Sequence, residues 1–433
     1  MPLFNFPNFR IINSEQTEDD MCIVVETVEN PVNCLKCRNM FPKLYSHGSR
    51  VQFFHDLPIH GKRVALKIHR KRFKCTECGG TFEERLEDMH PDHNMTKRLV
   101  DYIGTESYRK TFARIAEETG VTEKTVRNIF ADRVADLRKK NPFETPEILG
   151  IDEIHINTPR CVFTNIKEKT IIEMLPKRKK ADVVKFLLTL DRSAVKLVTI
   201  DMWEPYKDEV YATLPNAKVI VDKFHVQRIG NNIMERIRRK QKDSLTKKQN
   251  RQLKHERGIF GKRNFDLTEY EQKIMLDWNE VLPILGDAYE AKERFMDIWN
   301  TKSKEEAMAL YRAWVDRIPD HLTASFGEIT TAISNWSLEI FNYFDHPFTN
   351  SFTEALNGKI REIHRAGRGY SFDVLRAKIL FREGFQKKKV LTPKFNKEVF
   401  AFSRIMADTP DEYFINYGVD ISTLLAFKNY DSL

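Results

Sequence analysis

The run from Ile148 to Ile156, Ile-Leu-Gly-Ile-Asp-Glu-Ile-His-Ile, sets a carboxylate, Asp152, in the middle of an apolar, β-branched segment. Preceded by Pro142 and Pro146, it has the composition of a buried strand. A carboxylate among apolar neighbours is costly unless a cation meets it, and a divalent metal is the strongest candidate. Any fold open to this chain must therefore bring compensating charge to Asp152.

Two later carboxylates fit that requirement. Lys196 to Ile200 is a second short apolar strand that runs straight into Asp201, where a strand of a parallel sheet would end. The third is Glu354. Between Asn350 and Ile363 the residues Phe352, Leu356, Ile360 and Ile363 form one apolar helical stripe, and Asn350, Glu354, Asn357 and Arg361 share another face. Two strand aspartates and one helix glutamate are the oxygen donors that two Mg²⁺ ions need for phosphodiester chemistry, with Mn²⁺ able to stand in. Asp222, which ends a strand beside His225, is a rival third carboxylate. The polar face around Glu354 favours Glu354, leaving Asp222 to position a ligand or substrate. Glu153 should point to the opposite side of its strand from Asp152, outside the site. His225 and His364 are read either as phosphate contacts or as plain surface residues.

A chain of 433 residues has room for two to four domains, and its 41% hydrophobic and 31% charged residues describe a soluble protein. No apolar run reaches the length of a membrane span, and the first thirty residues lack a basic-then-apolar signal, so a cytoplasmic address is expected. Lysine and arginine number 71 against 62 acids, a net of +9. The excess is concentrated: Asp222 to Arg263 holds 14 bases and 4 acids, and Lys359 to Lys389 holds ten bases and three acids. These regions, with Arg236, Arg238 and Arg239 in the first and Arg361 and Arg365 in the second, point to a polyanion. A duplex fits better than a membrane because no strongly apolar face accompanies the charge. A solvated helical face is the plainer alternative.

Taken in order, the chain shows a strand at Met21 to Thr27, then two C-x-x-C pairs, Cys34 with Cys37 and Cys75 with Cys78. Two such turns close a tetrahedral Zn²⁺ site when a hairpin brings them together, and the strand-like segments Val51 to Phe54 and Val64 to Lys67 supply that hairpin. Histidines 47, 55, 60 and 69 are further ligand candidates, but four thiolates already complete the shell; Cys22 and Cys161 read as core residues. From Tyr108 to Lys139 the pattern turns helical. Gly120 ends one helix and Thr122 caps the next, with Ala116, Gly120 and Val126 at the small, turn and core positions of a helix-turn-helix. That geometry turns Glu123, Lys124, Arg127 and Asn128 outward for a major groove, although an ordinary helical hairpin shows the same pattern. Arg138 to Asn141 reads as a linker.

The central region gives a strand at Ile148 to Ile156, strands at Cys161 to Ile166 and Thr170 to Leu175, and a basic turn at Lys177 to Lys180. A helix at Ala181 to Leu190, the strand ending at Asp201, a helix near Pro205 to Leu214 and a strand at Ala217 to Val221 follow. Three strands in meander, then helix, strand, helix, strand is the order of a ribonuclease H-like fold. Lys223 to about Tyr343 reads as an all-helical insertion with Trp278, Trp299, Trp314 and Trp336 in its core, and a last helix is expected at Phe372 to Gln386. The expected class is multidomain α+β and α/β. The expected divisions are a zinc module (1–95), a helix-turn-helix (96–143), a ribonuclease H-like core in two parts (144–222 and 344–390) around the insertion (223–343), and a tail (391–433).

These motifs resemble a known family. The zinc module, the helix-turn-helix, Gly150-Ile-Asp-Glu153, Thr199-Ile-Asp-Met202 with Tyr206 downstream, Pro215-Asn-Ala-Lys-Val-Ile-Val-Asp-Lys-Phe-His-Val226 and Asn350-Ser-Phe-Thr-Glu-Ala-Leu-Asn357 are together similar to bacterial insertion-sequence transposases of the ISL-three type, of the DDE superfamily. The resemblance places the acidic triad on Asp152, Asp201 and Glu354. It implies binding to terminal inverted repeats in double-stranded DNA, metal-dependent strand cleavage and strand transfer, target DNA as a further partner, a homodimer that joins two ends, and a nucleoid-associated bacterial location. A DNA-binding regulator derived from such an enzyme but catalytically inactive, and a stand-alone nuclease or resolvase, are the competing readings.

Overall fold

The computed structural model describes residues 8–40, 42–140 and 144–385. Its first part is a five-stranded sheet of β1 (Phe9–Gln16), β2 (Asp20–Thr27), β3 (Leu44–Ile59), β4 (Lys62–Cys75) and β5 (Thr81–Glu83), in the order β1-β2-β4-β3 with β5 also on β4. β3 and β4 form a long hairpin closed at His60 and Gly61, both with positive φ, which is the backbone twist a two-residue hairpin turn demands. Val64, Leu66 and Ile68 alternate inward from β4 and pack with Ile23, Val25, Phe54 and Leu86. The sequence shows only the apolar centres of this hairpin. Its charged ends, Arg70 to Lys74, are strand because of pairing, and β1 went unseen because nearly every residue in it is exposed.

At the far end of the hairpin the two C-x-x-C turns meet. Each is followed by a left-handed residue, Arg38 at φ 57° and Gly79 at φ 67°, which folds the loop back over its sulphurs. Cys34 Sγ lies 3.7 Å from Cys78 Sγ, and Cys37 Sγ lies 3.9 Å from Cys75 Sγ. A tetrahedron with Zn–S of about 2.3 Å has an edge of about 3.8 Å, so the four sulphurs fit a zinc ion. The crowding also splits their acidity. Backbone N–H groups of Cys37 and Lys36 draw Cys34 down to about 7. For Cys37 the N–H of Asn39 acts downward, but burial and the neighbouring sulphurs outweigh it and push that thiol up to about 12.

Three helices follow: α1 (Lys97–Glu106), α2 (Phe112–Thr119) and α3 (Glu123–Lys140). Thr96 and Thr111 cap the first two through their hydroxyls, Gly120 ends α2 in the left-handed conformation at φ 73°, and Thr122 accepts the N–H of Thr125 at 3.2 Å to start α3. α1 was not expected, and α3 absorbs most of the expected linker. Beyond Leu99, Ile115, Val126 and Ile129, the shared core is filled by Ala377 and Phe381 from far along the chain. Beside them Lys378 is buried, donating to the carbonyls of Ser107 and Lys110 under the rings of Phe112, Phe130 and Tyr370.

The central sheet has the order β10-β9-β6-β7-β8. β6 (Ile148–Ile156), β7 (Thr158–Asn165) and β8 (Thr170–Met174) form an antiparallel meander turning at Asn157 and Lys169, both at positive φ. β9 (Leu197–Ile200) lies parallel to β6, and β10 (Lys218–Val221) parallel to β9. α4 (Lys180–Leu187) and α5 (Glu204–Thr213) make the crossovers. Leu149, Ile151 and Phe163 face these helices in a core that continues into an array of α6 (Lys223–Lys240), α7 (Lys247–His255), α8 (Glu269–Val281), α9 (Pro283–Asp297), α10 (Lys304–Val315), α11 (Asp320–Asn335) and α12 (Ser337–Asp345). The four tryptophans expected inside it are buried there. On the other face of the sheet Ile154, Ile156 and Val162 meet Leu356 and Ile360 of α13 (Ser351–Ala366) and Leu375 of α14 (Phe372–Ile379). α14 continues as a π-helical turn, Leu380–Phe385, so the last expected helix is present in altered form; the tail 391–433 lies outside the described residues. Among the described residues no helix is long and apolar enough to cross a membrane.

Two outcomes are expected. Chelation of the zinc should cost the two thiol-bearing turns at least about a hundredfold in amide-exchange protection while the central sheet keeps its own, because a structural zinc contributes about 10 kcal/mol or more in small modules. Protection unchanged by chelator would contradict the site. For Lys378, burial first, and then the charges of Arg382 and Arg127, lower its pKa from 10.5 to about 7. Between those values the unfolded chain holds a proton that the folded chain lacks, so stability rises with pH. The melting temperature of the wild type should therefore gain on that of Lys378→Met from pH 7 to pH 10, and a flat difference would refute the assignment.

Candidate active site

Even-numbered positions of β6 face α13, and Asp152 stands there between Gly150 and Ile154, 6% exposed. Glu153 points the other way and pairs with Arg178, as the alternation of the strand requires. The parallel register pairs Gly150 with Thr199, so Asp201, two residues on, emerges beside Asp152. Burial first, and then the charge of Asp201, push Asp152 up to about 7. Such a pair holds a proton or calls for a cation.

α13 is stitched along this pair. Asn350 Nδ2 donates to the carbonyl of Ile151 at 3.1 Å, Thr353 Oγ1 lies 2.7 Å from Thr164 Oγ1, and Asn357 Nδ2 donates to Asp152 Oδ2 at 2.7 Å. These residues recur at one-turn intervals, so one polar face of the helix meets the sheet while Leu356 and Ile360 enter the core. Close approach needs Gly150, where a Cβ would come within 2.4 Å of Thr164 Oγ1 and 2.9 Å of Asn350 Oδ1. Glu354, in the first turn of α13, is only partly buried and lies 3.5 Å from Arg228.

Glu354 meets the aspartates through other residues. Its carboxylate groups with Asp222 and His225, one ligand atom from each lying within 4.8 Å of the others. His225 Nε2 in turn lies 3.1 Å from Asp201 Oδ2, and that bond is the main reason the imidazole is raised above its ordinary pKa. The acids thus form a chain: Asp152, Asp201, His225, then Glu354 with Asp222. Among the described residues the three expected carboxylates do not by themselves form one such tight group. His225 is the link the sequence reading underweighted, and its signal was the Asp-Lys-Phe-His turn directly after a strand.

Asp222 is fully buried, and its carboxylate joins two helices. Oδ1 accepts the N–H of Phe224 at 3.1 Å and caps α6; Oδ2 accepts the N–H of Asn350 at 3.1 Å, at the start of α13. Burial raises its pKa, with those two N–H groups acting against the rise. His225 and Glu354 therefore take their positions from one buried carboxylate. Among the described residues, Asp201 Oδ1, His225 Nδ1 and Asn357 Oδ1 are buried without a hydrogen-bond partner. Unsatisfied acceptors beside paired carboxylates fit a divalent cation with oxygen ligands.

Of the residues expected to face DNA, Lys124, Arg127 and Asn128 are exposed on α3, with Arg127 paired to Glu123 and lying over the Phe112 ring. Arg361 and Arg365 are exposed on α13; Arg236 and Arg239 are exposed but paired with Glu328 and Glu235. Arg238 corrects the expectation. It is 4% exposed and spends its guanidinium on Glu235 and the carbonyl of Leu253. Its position in the α6 helical repeat puts it on the inward face with Met234 and Ile237.

Similarity to known proteins bears on this site. Residues 30–78 match the zinc-finger of the transposases of IS204, IS1001, IS1096 and IS1165. Residues 84–134 match the helix-turn-helix domain of transposase family ISL3, and residues 149–379, more than half of the chain, match the DDE transposase domain of that family. The chain is also 25% identical, over 337 residues, to the transposase for insertion sequence element IS1001 of Bordetella parapertussis, an alignment covering 75% of this chain and 82% of the relative. With a zinc module, a helix-turn-helix and an acid-lined sheet in that order, the chain belongs to the ISL3 family of DDE transposases, which are polynucleotidyl transferases.

Proposed function

We propose that this transposase binds the terminal inverted repeats of its element and cuts and rejoins DNA strands at the site formed by Asp152, Asp201 and Glu354, in a ribonuclease H-like core. The observation that carries this is the pairing of the buried Asp152 with Asp201 on the adjacent parallel strand, with Glu354 linked to them through His225. The core would run from 144 to 222 and from 344 to 390 around the helical insertion at 223–343, behind a zinc module at 1–95 and a helix-turn-helix at 96–143. Asp152, Asp201 and Glu354 would hold two Mg²⁺ ions, which supply Lewis acidity at the phosphate and ease deprotonation of the attacking water or 3′ hydroxyl.

The protein's own groups divide the remaining work. Asn357 fixes Asp152 by donating to one of its oxygens, and His225 does the same for Asp201. Asp222 uses both oxygens on backbone N–H groups, so we assign it to positioning. Arg228, beside Glu354, and the exposed Arg361 and Arg365 suit the phosphate backbone, and Lys124, Arg127 and Asn128 suit a major groove. Since two ends must be joined, a homodimer on a nucleoid-associated DNA target is the natural working form.

Asp152→Asn should leave binding of labelled terminal DNA intact and slow strand cleavage by about a thousandfold, the rate equivalent of several kcal/mol of lost charge stabilisation. Cleavage at the wild-type rate would refute the assignment, and specific binding without cut ends in the wild type would favour a regulator. Asp222→Ala removes the carboxylate from two helix starts at once. It should destabilise the fold by about 1–2 kcal/mol per lost cap, read by denaturant unfolding; an unchanged midpoint would show that the two helices hold without it.

A further inference from the structure

Of the five tryptophans, four are between 3% and 9% exposed and belong to the core; Trp203 is 40% exposed. It lies two residues after Asp201, at the start of α5, where its backbone but not its side chain serves the helix cap. The guanidinium of Arg178 covers its ring at 4.5 Å, and Arg178 is itself held by Glu153, the neighbour of Asp152. The indole therefore stands just past the end of β9, two residues after Asp201, on the side of the sheet to which Glu153 rather than Asp152 points, and it is backed by a cation anchored to β6. Lys177, Arg178, Lys179 and Lys180 form a basic run beside it.

The residue keeps 40% of its surface in water beyond what its neighbours cover, and the stacked guanidinium fixes the plane of its ring in advance. What suits a rigid, open π-face next to a basic turn is another flat ring carried on a polyanion. In an intact duplex the bases already stack on each other, so the partner must be a base that has left the stack. We propose that Trp203, held in place by Arg178, stacks an unpaired base of the DNA strand at the scission point. This rests on the reading that Asp152 and Asp201 receive that strand. Trp203 would thereby set where the strand is melted and held, while Arg178 acts as a positioning residue through the ring.

The test uses the full-length, zinc-loaded protein without added Mg²⁺ or Mn²⁺, which prevents cutting and leaves the zinc in place, and two probes. One is a duplex with a five-nucleotide unpaired tail that carries 2-aminopurine, and the other is the same duplex with blunt ends. The wild type should bind the tailed duplex more tightly than the blunt one and quench the 2-aminopurine. Trp203→Ala and Trp203→Leu should lose roughly five- to 150-fold of the tailed-duplex affinity, the range for one base stacked on an aromatic side chain, and should lose the quench. Trp203→Phe should recover part of both, which separates ring stacking from mere apolar bulk. Alanine or leucine variants that keep the tailed preference and the quench would overturn this inference alone, while the transposase reading stands on its cleavage test. A wild type that binds neither probe would take both down.

Discussion

A buried carboxylate, Asp152, and the partly exposed Asp201 beside it repel one another, and much of the central architecture answers that repulsion. Asp152 and Asp201 sit on neighbouring strands, and their mutual charge adds to burial in pushing Asp152 far above the usual carboxylate range. Three helices begin within a few residues of the acids: α5 after Asp201, α6 at Asp222 and α13 just before Glu354. The N-terminus of a helix carries unsatisfied N–H groups and partial positive charge, so each start offsets part of the negative potential. Asp222 makes this explicit by taking one N–H from each of two of those helices. The acids are thus held by backbone dipoles, by one imidazole and by the Asn357 amide, and Asp201 Oδ1 is left without a hydrogen-bond partner.

That arrangement explains which parts of the site the sequence could reveal. β6, β9 and β10 are legible because buried parallel strands are continuous apolar runs, and an acid at the end of such a run stands out. α13 is legible because its apolar and polar stripes separate at helical spacing. The geometry between elements is not. Whether Glu354 reaches the aspartates directly or through His225 depends on how far α13 slides along β6, and that is set by Gly150 and by the bonds of Asn350, Thr353 and Asn357. These residues recur at helical spacing, but the spacing does not say which group of the sheet each one meets. Arg238 shows the complementary failure. Counting charge over a basic stretch treats all arginines alike, whereas a helix turns one in every few toward its neighbours.

In the amino-terminal modules the missing information was of two kinds. β1 carries scarcely any buried residue, so it owes its strand geometry to pairing with β2 and offers no hydrophobic pattern to detect. α1 does carry Leu99 and Ile103 at helical spacing, but in a segment so short that tertiary packing decides the outcome. The zinc turns, by contrast, were readable from spacing alone, because coordination chemistry fixes which residues must recur and how far apart. Chemistry with a strict valence leaves a stronger mark on a sequence than packing does.

The most distant dependence in the fold joins the helix-turn-helix to the central sheet. Ala377 and Phe381 complete the core around α1, α2 and α3, and Lys378 donates to carbonyls at the end of α1 and before α2. Leu375 and Ile379, on the same helix, pack instead with Ile154, Ile156 and Leu356 against the face of the sheet that bears Asp152. One short helix therefore has each of its sides buried in a different module. A rotation of the helix-turn-helix relative to the sheet would expose apolar surface on α14 and strip the Lys378 ammonium of its acceptors, leaving a buried polar group unpaired. Within the described chain, the helix-turn-helix and the sheet that bears Asp152 are consequently set at a fixed geometry through the two sides of α14.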